Sequence, residues 1–369
     1  MRLEKLQLLN FKNYEEVNLN FPYRINVLVG KNGSGKTNLL DAIFYLSFTR
    51  SAISTLDQNS ILVGKSFFVA KGEFSQGDNW TEISCLVQTG SKKVFREGLF
   101  EYQKLSEHIG KYPVILIAPD DVDLIKEGGE ARRKFFDSII SQLDGKYLEN
   151  LLAYNHILKQ RNGYLKMSSE RGVVDWVAIE SYDHALVKYG IQIFERRKEF
   201  IHEYIPYFKK YYKFIVDENE DADMEYISEL TAKDFYAGLT GARQRDVALQ
   251  RTTFGVHRDD FQFVLKGGEL RRFGSQGQQK SFVIALKLAQ FEIVEKTKGT
   301  KPILLLDDIF DKLDDYRIAK LLELIKLDLG QLFITDARPD RTKGLLDQIH
   351  VEAFVFTIEN GKVKEYGQL

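Results

Sequence analysis

The 369-residue sequence is poor in cysteine, tryptophan, methionine and proline, with one, two, three and six of each, and it has almost no net charge. A single cysteine excludes an internal disulfide, so we expect a reducing, cytoplasmic environment. No apolar run approaches the ~20 residues of a membrane helix, so we expect no membrane partner. The 52 basic residues are balanced by 53 acidic ones, so overall charge gives no reason to expect a nucleic-acid partner.

The chain is long enough for two domains, or for one domain with a large insertion. Alternating apolar residues predict strands in the first 30 residues and again from about 60 to 105. After residue 120 the pattern becomes helical up to about residue 208, and strand signals return near Thr252. We therefore predict an α/β fold whose two ends are separated by a mainly helical insertion.

A glycine-rich loop follows the apolar run Ile25–Val29 and precedes a helical pattern that begins at Asn38. It fits G-x-x-x-x-G-K-[ST] and consists of Gly30, Lys31, Asn32, Gly33, Ser34, Gly35, Lys36 and Thr37. In such a loop the backbone N–H groups face the phosphates of ATP, the lysine supplies a positive charge and the hydroxyl binds Mg²⁺. A glycine turn that matches by chance is the alternative, but the strand before it and the helix after it favour nucleotide binding.

Two carboxylates, Asp307 and Asp308, follow the apolar run Ile303–Leu306. In a phosphoryl-transfer site the first holds Mg²⁺ together with Thr37, and the second orients or deprotonates the attacking water. We therefore predict Asp308 and Lys36 as catalytic residues. Hydrolysis should be slow, because aspartate is shorter than the glutamate common at this position in transport ATPases. Lys36 and Asp307 lie about 270 residues apart, which predicts a large insertion between the two halves of the nucleotide fold.

A short motif, Ser275-Gln276-Gly277, precedes the helical pattern at residues 282–298. Taken alone it is an ordinary helix N-cap. It lies one helix before the acidic strand, however, where ABC-type ATPases have the signature motif that completes the nucleotide site of a second subunit. Asp314 lies downstream, where those ATPases have the loop that connects the two sites. Position in the sequence therefore favours an inter-subunit role for both.

Further motifs are spread over essentially the whole chain, at residues 10–14, 118–124, 132–137, 159–162, 255–260 and 313–317. With the motifs above, they resemble the RecF family of bacterial DNA replication and repair ATPases, which are related to the heads of SMC proteins. Ala52-Ile53 departs from the family pattern, because an aromatic residue and a second arginine are usual there. Thr335 stands where transport ATPases have a sensing histidine, and we expect it to take that place.

The resemblance implies an α/β, ABC/SMC-like P-loop ATPase head formed by residues 1–120 and 250–369 and split by a mainly helical second lobe, residues 121–249. It implies a homodimer that forms on ATP, with each nucleotide between the phosphate loop of one subunit and Ser275-Gln276-Gly277 of the other.

The ATP-bound dimer is expected to clamp double-stranded DNA near single-strand gaps and to work with RecO and RecR in loading RecA during gap repair and the SOS response. Weak, DNA-linked ATP hydrolysis would release it. The alternative is the ATPase subunit of another ABC-type machine, for transport or chromosome maintenance.

DNA contacts require a local basic surface, because net charge supplies none. The residues that rank first, because they lie in family motifs, are Arg132, Arg133, Lys134 and Arg161. They could equally support the second lobe or contact the nucleotide. Two roles remain open for Lys12, a contact with the nucleotide or a position as a surface lysine. The loop with His257 and Arg258 is predicted to be structural or interfacial.

Overall fold

The computed structural model describes residues 1–216, 220–311 and 313–368. The chain forms two compact units: unit 1 comprises Met1–Asp121, Tyr211–Asp217 and Lys280–Leu369, and unit 2 comprises Val122–Lys210 and Glu218–Gln279. The first boundary lies one residue from the predicted one. The second differs, because residues 250–279, predicted to belong to the head, are part of unit 2, where their strands pair.

The described strands are, in chain order, β1 (Arg2–Phe11), β2 (Tyr14–Asn20), β3 (Ile25–Val29), β4 (Phe67–Gln76), β5 (Asn79–Gln88), β6 (Val94–Glu97), β7 (Phe100–Glu101), β8 (Val114–Ile117), β9 (Ala222–Ile227), β10 (Asp260–Leu265), β11 (Gly268–Glu269), β12 (Ile303–Leu306), β13 (Leu332–Asp336), β14 (Ala353–Glu359) and β15 (Lys362–Gln368). The described α-helices are α1 (Lys36–Phe48), α2 (Asp123–Lys126), α3 (Gly129–Leu143), α4 (Gly145–Arg171), α5 (Trp176–Val216), α6 (Phe235–Leu249), α7 (Leu270–Phe273), α8 (Gln276–Lys298), α9 (Asp315–Lys326) and α10 (Pro339–Ile349). None of these helices has the length and apolar character needed to cross a bilayer.

Unit 1 contains two six-stranded sheets. One is antiparallel, in the order β2-β1-β4-β5-β6-β7, and the other has the order β15-β14-β3-β13-β12-β8 and is parallel except for β15. β3 and β12 are buried along their whole length, which explains their nearly continuous apolar sequences. Both sheets and α1 contribute to one core, where the rings of Tyr45 and Phe68 meet edge to face with 5.4 Å between centroids.

The strand order of the parallel sheet determines which loops meet. β13 lies between β3 and β12, so the carboxyl ends of these three strands fall at one edge of the sheet. The phosphate loop leaves β3 at that edge, Asp307 follows β12 there, and Thr335 is the penultimate residue of β13. Residues far apart in the sequence are thereby brought together.

Unit 2 is mainly helical, with α3, α4, α6 and most of α5 accompanying a three-stranded antiparallel sheet of order β11-β10-β9. β10 pairs with β9 from Asp260–Ile227 to Leu265–Ala222. Phe136 of α3 packs on Phe261 of β10, with 4.3 Å between ring centroids. The strand signals after residue 252 therefore belong to this small sheet, and the head begins again only within α8.

Candidate nucleotide site

The phosphate loop connects β3 to α1, and its shape depends on Gly35, immediately before the helix. Gly35 has φ +120°, a conformation that L-residues rarely adopt. A Cβ at this position would lie 2.5 Å from Asn13 Nδ2 and 2.7 Å from the Tyr14 hydroxyl. Glycine is therefore required both by the backbone and by the close approach of the β1–β2 hairpin.

Three groups outside the loop hold its backbone. Asn13 Nδ2 donates to the Ser34 carbonyl (3.0 Å), and the Tyr14 hydroxyl donates to the Gly35 carbonyl (2.9 Å). The N–H of Gly361, in the β14–β15 turn, donates to the same Ser34 carbonyl (3.1 Å). Sequence reasoning missed all three roles. The motif at residues 10–14 is a signal for the first two, whereas nothing local marks Gly361 as a neighbour of the loop.

Two side chains of the loop suit a phosphate. Lys36 is buried, and its Nζ donates to the carbonyls of Gly30 (2.9 Å) and Lys31 (3.4 Å), so its charge lies over the loop. Ser34 Oγ is buried and has no hydrogen-bond partner among the described residues. A buried hydroxyl without a partner costs free energy, which a phosphate oxygen would recover by accepting its proton. Residues 30–34 also line a cleft of about 780 Å³.

The acidic edge of the site joins three elements. Thr37 Oγ1 and Thr335 Oγ1 both donate to Asp307 Oδ1, at 3.0 and 2.7 Å. Burial raises the pKa of Asp307, and the hydrogen bonds from Thr335 and Thr37 oppose that rise. A hydroxyl beside a carboxylate is a set of oxygen ligands suited to Mg²⁺, which binds few protein groups and takes further oxygens from substrate phosphates. Thr37 and Asp307 thus fit their predicted metal role.

Asp308 has an unusual backbone. Its φ is +43°, in the left-handed region that non-glycine residues seldom occupy, although aspartate tolerates it better than most. Its N–H donates to Thr335 Oγ1 (2.8 Å), which fixes the turn after β12. Strained conformations of this kind are concentrated at functional sites. The turn places the Asp308 carboxylate near Thr335 Oγ1, which also bonds Asp307, and the catalytic role of Asp308 stays a prediction.

Comparisons with known proteins agree with this geometry. The family model described as RecF/RecN/SMC N terminal domain matches residues 2–94. Proteins named DNA replication and repair protein RecF match nearly the whole chain. The one from Cytophaga hutchinsonii is 45% identical and covers 99% of this chain and 97% of the relative, and the one from Flavobacterium johnsoniae is 44% identical and covers 97% and 100%. This chain belongs to the RecF family.

Solved structures lead to the same family. A structure of the recombination mediator protein RecF-ATP in the RecFOR pathway matches this RecF-family chain with a TM-score of 0.90 at 30% identity, covering 99% of this chain and 97% of that one. An Smc head domain from Pyrococcus furiosus matches with a TM-score of 0.55 at 18% identity, covering 100% and 96%, which shows the fold alone. The predicted resemblance and the predicted ABC/SMC-like ATPase head with an inserted lobe are therefore confirmed.

For this RecF-family ATPase we predict that Thr335→Val lowers ATP turnover at least about tenfold, because it removes both hydrogen bonds of Thr335 Oγ1, to Asp307 and from the Asp308 N–H, each worth about 0.5–1.5 kcal/mol. Asp307 loses a hydrogen bond that opposes its raised pKa, so that pKa rises further. The ionised form of Asp307, the predicted Mg²⁺ ligand, is then less favoured as the pH falls, so the loss should be larger at pH 6 than at pH 8. Steady-state phosphate release across this range measures it. Thr335→Ser keeps the hydroxyl and is the control, and a loss independent of pH would contradict the explanation.

The predicted signature residues lie at the start of α8. Ser275 Oγ accepts from the Gln278 N–H (3.2 Å), and the Gln278 side chain accepts from the Ser275 N–H (2.8 Å), a reciprocal cap. Ser275 and Gln276 are exposed and Gly277 is half-buried. The positive dipole end of an exposed helix start suits an anion from another molecule. The signature role stays a prediction.

Asp314 is the N-cap of α9. Its carboxylate accepts from the Arg317 N–H (2.9 Å) and pairs with the Arg317 guanidinium, which also donates to Ser281 Oγ (2.7 Å). Asp314 keeps about half of its side chain exposed. Lys312, two positions before Asp314 in the sequence, lies outside the described residues. The inter-subunit role of Asp314 stays a prediction.

Arg132 and Arg161, two of the four residues predicted to contact DNA, are buried, so the prediction of direct DNA contact is wrong for both. Arg161 has no exposed surface and pairs with Asp183 (2.8 Å) and Asp246 (2.7 Å), which are equally buried. Arg132 has 8% of its side chain exposed and makes two bonds of 2.8 Å to Asp260. Both support the second lobe, the alternative that the sequence left open.

Contact with DNA by the other two residues, Arg133 and Lys134, stays a prediction. Arg133 is half-buried, and its guanidinium donates to the Asp259 carbonyl. Lys134 is 74% exposed and pairs with Glu130 one helical turn away (2.7 Å). Pairs of this exposed kind are weak, so Lys134 is free to exchange its partner for a phosphate.

Lys12 is not a surface lysine. It is 11% exposed, and its Nζ lies 2.6 Å from Oδ2 of the buried Asp41 in α1. Asp41 also accepts from Ser51 Oγ (2.7 Å) and from the Ala52 N–H (2.6 Å). Lys12 therefore connects the β1–β2 hairpin to α1 and to the segment where the chain departs from the family pattern. Because Ala52 contributes a backbone group, this contact does not depend on its side chain.

Proposed function

We propose that this chain is an ATP-gated DNA clamp of recombinational gap repair. Two copies join around two ATP molecules, hold duplex DNA near a single-strand gap, and separate after slow hydrolysis. RecF structures that are similar over the full chain are described as recombination mediators of the RecFOR pathway. The name of that pathway supports RecO- and RecR-type partners for this chain, and we propose that together they load RecA.

The observation that carries the proposal is that one chain has two different parts of a nucleotide site. The first is the phosphate loop with its acidic edge, where Lys36, Thr37 and Asp307 converge. The second is the exposed cap at Ser275, whose helix start is suited to an anion. Two copies related by a twofold axis would each offer the second part to the ATP held by the first.

ATP binding is assigned to residues 30–37. Backbone N–H groups and Ser34 Oγ donate to phosphate oxygens, and Lys36 exchanges the Gly30 and Lys31 carbonyls for a phosphate. Thr37 and Asp307 hold Mg²⁺, whose charge, when it is bound, stabilises the negative charge that develops on the phosphates. Asp308 accepts a proton from the attacking water. Its short side chain reaches less far than a glutamate, which is the reason to expect slow turnover.

Light scattering and DNA binding test the proposal together. With ATP and Mg²⁺ the mass should rise from 42.7 kDa to twice that value, and a gapped duplex should be retained at a salt concentration at which the nucleotide-free chain releases it. ADP is the matched control, since it leaves the second subunit no γ-phosphate to bind. A mass and a DNA affinity that both stay the same with ATP would exclude the clamp. Dimers that form on ATP without retaining DNA would favour the alternative, an ATPase of another ABC-type machine.

A further inference from the structure

Residues 235–260 of unit 2 contain three carboxylates, and each is neutralised from inside the unit. The partners are buried arginines from three different helices: Asp246 pairs with Arg161 of α4 (2.7 Å), Asp259 with Arg197 of α5 (3.2 Å) and Asp260 with Arg132 of α3 (2.8 Å). Because these three carboxylates are paired inside the unit, they do not offset positive charge at the surface of the segment.

The segment contains four further arginines, Arg243, Arg245, Arg251 and Arg258. Arg243 pairs with Asp183 (2.9 Å). Arg245, Arg251 and Arg258 are exposed, and their side chains make no hydrogen bond or ion pair with any residue that the structure describes. We call these three the outer arginines. They leave three positive charges uncompensated on a chain whose net charge is −1.

The backbone around Arg258 is held in one conformation. Arg197 Nη1 donates to the Val256 carbonyl (2.7 Å). Burial lowers the pKa of His257 to about 4, so its ring is neutral, with Nε2 donating to the Thr252 carbonyl (3.0 Å) and Nδ1 accepting from the Tyr154 hydroxyl (2.8 Å). A fixed loop loses little entropy when a ligand binds to it. Arg258 is therefore presented to solvent from a preorganised support.

Backbone contacts bring the positions of the outer arginines close together. The Arg251 N–H donates to the Asp246 carbonyl (3.1 Å), next to Arg245. The Thr252 carbonyl, next to Arg251, bonds to His257, next to Arg258. The first contact therefore links the position of Arg245 to that of Arg251, and the second links the position of Arg251 to that of Arg258. We treat the three as one patch, because these contacts bring their positions together although Arg245 and Arg258 are 13 positions apart in the sequence.

We propose that the outer arginines bind backbone phosphates of the duplex DNA that the clamp holds. This inference rests on the proposed function and names the DNA-contacting surface. Guanidinium groups present planar N–H pairs that match phosphate oxygens, and a row of separate arginines suits a polymer of phosphates. Arg132 and Arg161 then act on DNA binding through other residues, because they neutralise the carboxylates that would weaken the patch.

The test compares two triple variants with the same change of charge. Arg245→Gln/Arg251→Gln/Arg258→Gln removes the patch. Lys5→Gln/Lys71→Gln/Arg96→Gln removes three cations of the antiparallel sheet in unit 1, each of which pairs with a glutamate. Anisotropy of a fluorescein-labelled duplex, with ATP and Mg²⁺ present, gives the affinity between about 50 and 200 mM salt.

We expect the outer-arginine variant to lose at least about tenfold in affinity, and the slope of log affinity against log salt to become shallower by about 2 to 3, since each phosphate contact contributes about 0.9. The control variant should stay within about twofold of the unmodified chain. An equal loss in both variants would overturn the proposal, because net charge would then be the cause. An unchanged slope in the outer-arginine variant would overturn it as well.

Two further readouts separate this proposal from its alternatives. Binding of a fluorescent ATP analogue is measured on the same variants, and a parallel loss of ATP affinity would assign the patch to the phosphates of a nucleotide and overturn the assignment to DNA. Failure of the unmodified chain to bind DNA with ATP would refute the proposed function itself. Normal binding by both the unmodified chain and the outer-arginine variant would refute only the patch.

Discussion

In the Asp308→Asn variant, ATP turnover should fall by at least about 100-fold while the ATP-bound dimer accumulates. Asp308 lies beside Asp307, the predicted metal ligand, in a turn that Thr335 fixes by accepting the Asp308 N–H (2.8 Å). Asparagine also tolerates the left-handed backbone found there, φ +43°, so the turn keeps its shape and only the proton acceptor is lost. Phosphate release measures turnover, and light scattering measures the fraction of dimer.

Asp328→Asn is a matched control for that experiment. Asp328 is another aspartate with a left-handed backbone, φ +70°, and it lies between α9 and β13, where it pairs with Lys301 (2.8 Å). Turnover in this variant should equal that of the unmodified chain. Undiminished hydrolysis in Asp308→Asn would show that another group accepts the proton, and rapid hydrolysis by the unmodified chain would contradict the expected slow turnover.

The nucleotide site at the edge of the parallel sheet could be predicted because each of its parts is a short sequence pattern next to a buried strand. The loop at residues 30–37 follows one nearly continuous apolar run, and Asp307 follows another, and such runs are typical of parallel strands buried on both faces. The carboxyl ends of parallel strands lie at one edge of the sheet. Thr37 Oγ1 and Asp307 Oδ1 are therefore only 3.0 Å apart, although 270 positions separate the two residues in the sequence. The motif at residues 10–14 marks the hairpin residue Asn13 without saying what it contacts, and no local pattern marks the turn residue Gly361 as a neighbour of the loop.

The errors arose where long-range pairing decides the outcome. Residues 260–265 form a strand by any local criterion, but the sequence does not say that the partner is β9 of unit 2. Similarly, the sequence ranks Arg132 and Arg161 first as DNA contacts and leaves support of the second lobe as an alternative, because arginine is rarely buried unless it is paired. Arg132 and Arg161 are the exceptions, and their carboxylate partners lie between 22 and 128 positions away. In the sequence these buried arginine–carboxylate pairs are reflected only in the near-zero net charge, since each pair contributes one positive and one negative charge.

Arg161→Met should destabilise unit 2 by about 3–5 kcal/mol, the cost of leaving a buried charge without its partner. Asp183 keeps Arg243, but Asp246 loses its ion pair and retains only hydrogen bonds from Thr253. Urea unfolding followed by Trp176 fluorescence, with Trp80 replaced by phenylalanine, reports on unit 2 alone. Lys134→Met, at a 74% exposed side chain, is the control and should change the free energy of unfolding by less than about 0.5 kcal/mol.

A second variant separates folding from DNA contact. Arg161→Met/Asp246→Asn removes both charges of one pair, so it should recover part of the stability lost in Arg161→Met. DNA affinity should recover with it, because the outer arginines need a folded support but not the charge of Arg161. If Arg161→Met instead weakened DNA binding while the unfolding of unit 2 stayed unchanged, the arginine would contact DNA in a conformation that exposes it. The burial of Arg161 and its two ion pairs argue against that outcome, since both pairs would have to break first.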